Sequence, residues 1–322
     1  MAAVERILVI KLGALGDFVL ATGPFKAIRQ AHPGARIVLL TTAPYAEMAR
    51  TAPFFDEVWV DSRPRLWQPG RVLALRRRLR RGNFARVYDL QTSDRSGWYF
   101  RLMGPGPRPE WSGIARGASH RHTGPDRVRL HTVERQRAQL ALAGIADVPG
   151  PDLSWLDGDL STFELDKDRP LVLLVPGGAA HRPQKRWPAG RYGALAARLL
   201  GRGYAVAVIG GPAEKALGRE IAAAAPGLHD LTGETTLGAI AALARRAVLA
   251  CGNDTGPMHL ITASGCPAVI LYSHESDPAL CAPRGAETRI CRVADLGHLP
   301  LDKVVSALDG LAPSLDSTPP AS

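Results

Sequence analysis

The chain has 322 residues, 46% of them hydrophobic and 22% charged, with a formal net charge of +10. That is the composition of a soluble globular protein long enough for two domains of roughly 150 residues each. No apolar stretch approaches the roughly 20 residues that span a bilayer, and the opening residues lack the pattern of a secretory leader, so a cytoplasmic protein is expected.

The basic excess is uneven. Residues 1–150 carry 24 Lys and Arg against 12 Asp and Glu, whereas the remainder carries 16 against 18. An asymmetry of this kind points to an acidic partner met by the N-terminal half, through the stretches 63–81 and Arg101–Arg137; solvated helix faces rich in arginine read the same way. Nucleic acid is not expected, because no helix-turn-helix, RNA-recognition or zinc-finger pattern accompanies the charge. Cys251, Cys266, Cys281 and Cys291 form no C-x-x-C pair and lack a histidine at metal-ligand spacing, which suits reduced structural thiols and no metal.

In chain order, short apolar runs at 6–10, 35–41, 57–60 and 86–91 read as strands, with helical patterns at 17–31, 43–51 and 70–82 between them. Strands separated by helices imply parallel βαβ units buried on both faces. Residues 103–127 are rich in Gly, Pro, Arg and His and read as irregular loop, followed by a helix over about 131–144. The aperiodic segment 146–170 connects the halves, placing domains at 1–155 and 156–312. Its D-G-D and D-K-D triplets follow no strand and read as turn chemistry. The alternation then restarts with strands at 171–175, 204–210, 248–251 and 268–272 and helices at 188–202, 213–224, 236–246 and 255–264. The polar residues 313–322 read as a disordered tail. The expected architecture is α/β, two facing Rossmann-like halves, with ligand held at the carboxyl ends of their strands.

Four strand-end motifs carry the candidate chemistry. In K-L-G-A-L-G-D (11–17) the glycines are spaced G-x-x-G, neither a dinucleotide fingerprint nor a P-loop. Asp17 there is either an N-cap or first-turn acid or a general base for an incoming hydroxyl, and the two readings are compatible. In V-P-G-G-A-A-H-R-P-Q-K-R-W-P (175–188), Gly177 and Gly178 offer backbone donors, and His181, Arg182, Lys185 and Arg186 offer cations, as a diphosphate site requires. In C-G-N-D-T-G-P-M-H-L (251–260), Asp254 or Thr255 caps a helix whose first N–H groups, from Thr255 and Gly256 onward, face an anion. His259 is a ligand contact or a packed core histidine. In I-G-G-P-A-E (209–214), Glu214 either accepts from ribose hydroxyls or serves as a helix first-turn acid.

Taken together with the H-x-V-x-R run at His131–Arg135, these motifs resemble glycosyltransferase family 9, the lipopolysaccharide heptosyltransferases, over roughly residues 5–312. The resemblance implies the GT-B fold and an inverting, metal-independent transfer of heptose from ADP-heptose to an inner-core sugar of lipopolysaccharide. It implies Asp17 as catalytic base, Lys185 on the donor phosphates, Glu214 near the nucleoside, and Asp254, Thr255 and Gly256 at the sugar phosphate. Lys11, Gly16, Arg63 and Arg121 are the expected acceptor contacts. The acceptor is expected to be an acidic lipid-linked glycan, reached by transient contact with the inner face of the inner membrane, and no cofactor is expected. Two segments depart from the family pattern near the sugar pocket: Ala180 with His181, and S-H-E-S-D-P-A-L-C at 273–281. The alternatives are a family 9 enzyme using another nucleotide sugar and glycan, a two-Rossmann epimerase or phosphorylase, and a non-catalytic relative that binds nucleotides or anionic surfaces.

Overall fold

A computed structural model describes residues 4–65, 67–178 and 182–311. One compact unit ends at Pro151 and a second begins at Asp152.

The first unit runs β1 (Arg6–Ile10), α1 (Leu15–Leu20), α2 (Thr22–Ala31), β2 (Arg36–Thr41), α3 (Ala43–Thr51), β3 (Glu57–Val60), α4 (Pro69–Arg81), β4 (Arg86–Asp89), α5 (Asp94–Leu102), β5 (Glu110–Gly113), β6 (His120–Arg121) and α6 (Thr132–Leu142). Its sheet has the order β3-β2-β1-β4-β5-β6, with every pairing parallel. Leu8, Ile10, Val38 and Leu40 point toward α4 and α5, where Leu75, Leu79, Tyr99 and Phe100 cover them. Their alternates Ile7, Val9, Ile37 and Leu39 are equally buried, so both faces of the sheet are covered and its strands can be apolar throughout.

The second unit runs β7 (Leu171–Val175), α7 (Ala189–Gly201), β8 (Ala205–Val208), α8 (Lys215–Ala224), β9 (His229–Asp230), α9 (Leu237–Arg246), β10 (Ala247–Asn253), α10 (Gly256–Ala263), β11 (Ala268–Tyr272), α11 (Pro278–Cys281), β12 (Thr288–Arg292) and α12 (Leu301–Asp309). The sheet order β12-β11-β10-β7-β8-β9 repeats the first topology, again all parallel. Val172, Leu174, Val206, Val208, Leu249 and Val269 form one core with α7, α8 and α12, anchored by Trp187 and Tyr192.

The structure corrects the sequence reading in several places. The helix expected over 17–31 is divided at Ala21 into α1 and α2. The stretch 103–127, expected to be irregular, supplies β5 and β6. These strands are only four and two residues long, too short for a period to register, and β5 is held by the wholly buried Trp111 packed edge-on to Phe100. Asp157, Asp159 and Asp166 accept from nearby backbone N–H groups, the turn chemistry expected of their triplets. The four cysteines are free. Among the described residues no helix is long and apolar enough to cross a membrane. The tail expected to be disordered, 313–322, lies outside the described residues.

Candidate active site

In each unit the strand order reverses between the first and fourth strands, and the carboxyl ends of that pair are where an open α/β sheet binds ligands. In the first unit the pair is β1 and β4. The chain leaving β1 is Lys11–Asp17 and the chain leaving β4 is Leu90–Thr92. They border a cavity of about 200 Å³ whose walls include Lys11, Asp17, Gln91, Arg127, Arg135 and Gln139.

The Asp17 loop is held rigidly. Gly13 sits at φ +119°, and a Cβ there would lie 2.5 Å from the Tyr45 ring, so both conformation and space demand glycine. The Leu12 N–H donates to Gln91 Oε1 (2.8 Å), and the Leu12 carbonyl accepts from Thr42 Oγ1 (3.0 Å) and Arg63 Nη2 (2.9 Å). Arg63 is fixed in turn by Asp61, whose carboxylate accepts from the Arg63 N–H and the Tyr99 hydroxyl. Arg63, expected among the acceptor contacts, therefore braces the loop that carries Asp17.

Asp17 is the third residue of α1, and the preceding cap residue, Ala14, offers no side-chain hydrogen bond. Its carboxylate thus meets the positive end of a short helix while lining the cavity. Gly16 is buried within the same helix. Lys11 is buried and its Nζ donates to the Leu90 carbonyl (3.1 Å). Burial pushes the Lys11 ammonium below the usual lysine range, against the charges of Asp17 and Asp89 and with that of Arg135. Arg121 lies apart from this cavity: on β6, its Nε donates to the Ile114 carbonyl (3.3 Å). Arg127 and Arg135, from the same basic stretch, line the cavity instead. Arg135 closes the H-x-V-x-R run, a sequence signal for this position.

In the second unit the corresponding pair is β7 and β10, and Asn253 joins their ends. Its Nδ2 donates to the carbonyls of Pro176 (2.8 Å) and Gly177 (3.1 Å). Its Oδ1 accepts from the Trp187 N–H (3.1 Å) and the Tyr192 hydroxyl (3.0 Å). Both donors and both acceptor positions of one amide are used. Sequence reasoning passed over Asn253 in favour of the adjacent aspartate.

Asp254 faces Lys185 at 2.8 Å, with side chains 10% and 13% exposed. Burial works to raise the Asp254 carboxyl, but hydrogen bonds from Lys185 and Ser276 and the charges of Lys185 and His259 outweigh it and hold it below the usual carboxylate range. Ser276 belongs to the divergent segment 273–281, so that departure touches this site directly. Of the two expected caps, Thr255 occupies the N-cap position of α10 but makes no side-chain capping bond, and the Asp254 carboxylate is drawn to Lys185 instead. The Thr255 hydroxyl is buried with no hydrogen-bond partner among the described residues. His259 is buried inside α10.

Glu214 ends a short 3-10 turn, Pro212–Glu214, ahead of α8. Its carboxylate accepts from the N–H groups of Gly178 (3.2 Å) and Gly211 (2.6 Å). A Cβ at Gly177 would lie 2.2 Å from Glu214 Oε1, so the glycine loop and the glutamate fit as one unit. A carboxylate has about four lone-pair positions, and two remain for a ligand hydroxyl. His181, expected on the donor side, lies outside the described residues, as does Ala180. Among the described residues no three or more His, Cys, Asp or Glu side chains gather to hold a metal ion.

The family model for glycosyltransferase family 9 (heptosyltransferase) matches residues 72–311. The chain belongs to glycosyltransferase family 9. This family 9 transferase is 28% identical over 308 residues to lipopolysaccharide heptosyltransferase 2 of Escherichia coli, covering 89% of this chain and 88% of the relative. A solved family 9 glycosyltransferase from Veillonella parvula superposes with a TM-score of 0.82 at 23% identity, covering 95% of this chain and 97% of the other. The Escherichia coli ADP-heptose lipopolysaccharide heptosyltransferase II superposes with a TM-score of 0.79 at 24% identity, covering 95% and 98%. These likenesses establish the GT-B fold for the family 9 transferase, with its two six-stranded parallel sheets.

One property of the first-unit site is open to direct titration. Asp89, at the end of β4, is buried, and its Oδ1 accepts from the N–H groups of Gln91 (3.1 Å) and Thr92 (3.0 Å). Burial pushes its carboxyl up to about 6, against those hydrogen bonds and Lys11. The folded chain therefore holds a proton that the unfolded chain releases near 3.8, and this group's contribution to stability falls as pH rises from about 4 to about 6. Asp89→Asn keeps the acceptor oxygen and removes the titration. Denaturant melts of this variant should show that slope flattened by up to about 3 kcal/mol across the interval; an unchanged pH profile would exclude Asp89 as its source.

Proposed function

We propose that the chain is an inverting heptosyltransferase that takes its sugar from ADP-heptose and attaches it to an acidic, lipid-linked inner-core glycan of lipopolysaccharide. The observation carrying this reading is the cavity beside Asp17, where one carboxylate meets Lys11, Arg127 and Arg135 at the strand-order reversal. A carboxylate can take the proton of a sugar hydroxyl, and the cations suit an acceptor bearing phosphates or carboxylates.

In the proposed step the acceptor oxygen, losing its proton to Asp17, attacks the anomeric carbon from the face opposite ADP. The new carbon–oxygen bond forms as the bond to the diphosphate oxygen breaks, the electron pair leaves with ADP, and the configuration inverts. Lys185 and the N–H groups opening α10 meet the charge growing on the diphosphate, each such donor being worth about 3 kcal/mol in a preorganised site. Thr255, whose hydroxyl has no partner among the described residues, and Glu214, with lone pairs to spare, are the further donor contacts. The reaction is proposed to need no metal and no cofactor. The enzyme would work in the cytoplasm, at the inner face of the membrane that holds its acceptor.

The donor is tested by thermal shift with ADP-, UDP- and GDP-sugars. A ligand at 100 times its Kd stabilises the folded chain by about 2.7 kcal/mol, so ADP-heptose should raise the melting temperature most. A larger shift with UDP- or GDP-sugars would redirect the assignment to another nucleotide sugar. Transfer to no acceptor despite donor binding would favour the non-catalytic relative.

A further inference from the structure

We propose that α4, with the turn before it, is a docking surface for an anionic phospholipid bilayer. Between Asp61 and Asp89 the chain has nine arginines and no acidic residue. The orientation of α4 is set from its inner side. Leu75 and Leu79 are buried, Arg76 donates to the carbonyls of Leu102 (3.2 Å) and Gly104 (3.1 Å), and the Arg78 guanidinium stacks 4.4 Å from the Trp59 ring centroid.

That arrangement turns Gly70, Leu73, Ala74, Arg77 and Arg81 outward, at the three- and four-residue spacing of one helical stripe, and Trp67 lies exposed in the turn just before the helix. Trp67 is 72% exposed and Leu73 45%. Arg71, Arg77, Arg80 and Arg81 make no ion pair among the described residues. Beneath the stripe, Arg6, Arg77, Arg78 and Arg81 wall a groove of about 450 Å³ over Trp59, roomy enough for a phosphate headgroup.

A tryptophan and a leucine leading into a row of cations is the composition of a helix that lies in a membrane interface. The indole sits at headgroup depth, the leucine enters the acyl boundary and the arginines meet lipid phosphates. A nucleic acid would use the arginines but leave Trp67 and Leu73 in water. The proposal gives the lipid-linked acceptor of the previous section a surface to be met on, and it rests on that reading only for its purpose, since docking needs no acceptor.

The test is flotation of the full chain with vesicles of phosphatidylcholine alone or mixed with phosphatidylglycerol. Binding should require the anionic lipid and weaken with salt, because each arginine near such a surface adds roughly fivefold in affinity. R71E/R77E/R81E should lose at least about 100-fold, R71Q/R77Q/R81Q should fall between it and the parent, and Trp67→Ser with Leu73→Ser should lose at least about tenfold. All three should melt at the parent temperature. Equal binding to neutral and anionic vesicles, retention of binding by the triple Glu chain, or displacement by a lower concentration of duplex RNA would overturn the proposal. The thermal shift with ADP-sugars involves no vesicle, so the failure of either reading is seen separately.

Discussion

Asp17→Asn should reduce kcat by about 10³-fold, within the range that positioned acid–base groups supply, while leaving the affinity for ADP-heptose unchanged. The substitution separates two roles that one residue fills. As the third residue of α1, Asp17 faces the positive helix end, an interaction worth roughly 0.3–1 kcal/mol. Asn keeps the size and the acceptor oxygen, so the fold should persist with at most a small drop in melting temperature. It cannot keep the proton-accepting role, because an amide does not take up a proton near neutral pH. Single-turnover kinetics at saturating donor read the chemical step directly, and a kcat within tenfold of the parent would remove Asp17 as base. The loop geometry makes the comparison clean. Leu12 is hydrogen-bonded through both its N–H and its carbonyl, to Gln91, Thr42 and Arg63, and none of those bonds involves the Asp17 carboxylate.

What could be read from the residues alone follows from how local each signal is. The parallel βαβ alternation was legible because runs such as Ile7–Ile10 and Leu171–Val175 are buried on both faces and so are apolar without interruption. The placement of K-L-G-A-L-G-D and N-D-T-G at strand ends followed from the same runs. β5 and β12 were missed. β12 carries Arg289 and Arg292 with an exposed Ile290, the pattern of an edge strand whose place depends on pairing with β11 rather than on its own sequence. α5 was missed although Ser93 and Ser96 make a reciprocal capping box, a signal available in the sequence.

Within the site, most of the residues found lie at or just past a strand end, although Asn253 and Gln91 there were passed over, and most of those arriving from a distance were not found. Lys11, Asp17, Asp254 and Glu214 belong to the first kind. Arg127 and Gln139 belong to the second, because which side chains share a cavity is set by the topology of β1, β4 and α6 and not by spacing along the chain. Arg121 shows the same limit from the other side. It is an arginine like Arg127 and six residues away, yet its guanidinium turns back onto the Ile114 carbonyl.

Lys185→Ala should lower kcat/KM by about 10²–10³-fold, the loss seen when one preorganised donor to a developing anion is removed. Without donor, Lys185 is spent on Asp254 at 2.8 Å, so the same substitution also strands a largely buried carboxylate, at a cost of about 3 kcal/mol in stability. A fall in activity alone therefore cannot tell an electrostatic role from a structural one. The double variant Lys185→Ala with Asp254→Asn resolves it. Neutralising the stranded group should restore most of the lost melting temperature, because an amide can still accept from Ser276, which contacts Asp254 in the parent. Activity should stay down by at least about 10²-fold if the ammonium itself meets the leaving diphosphate. Recovery of both together would reduce Lys185 to a partner of Asp254, and the N–H groups opening α10 would then be left to meet the charge of the departing ADP.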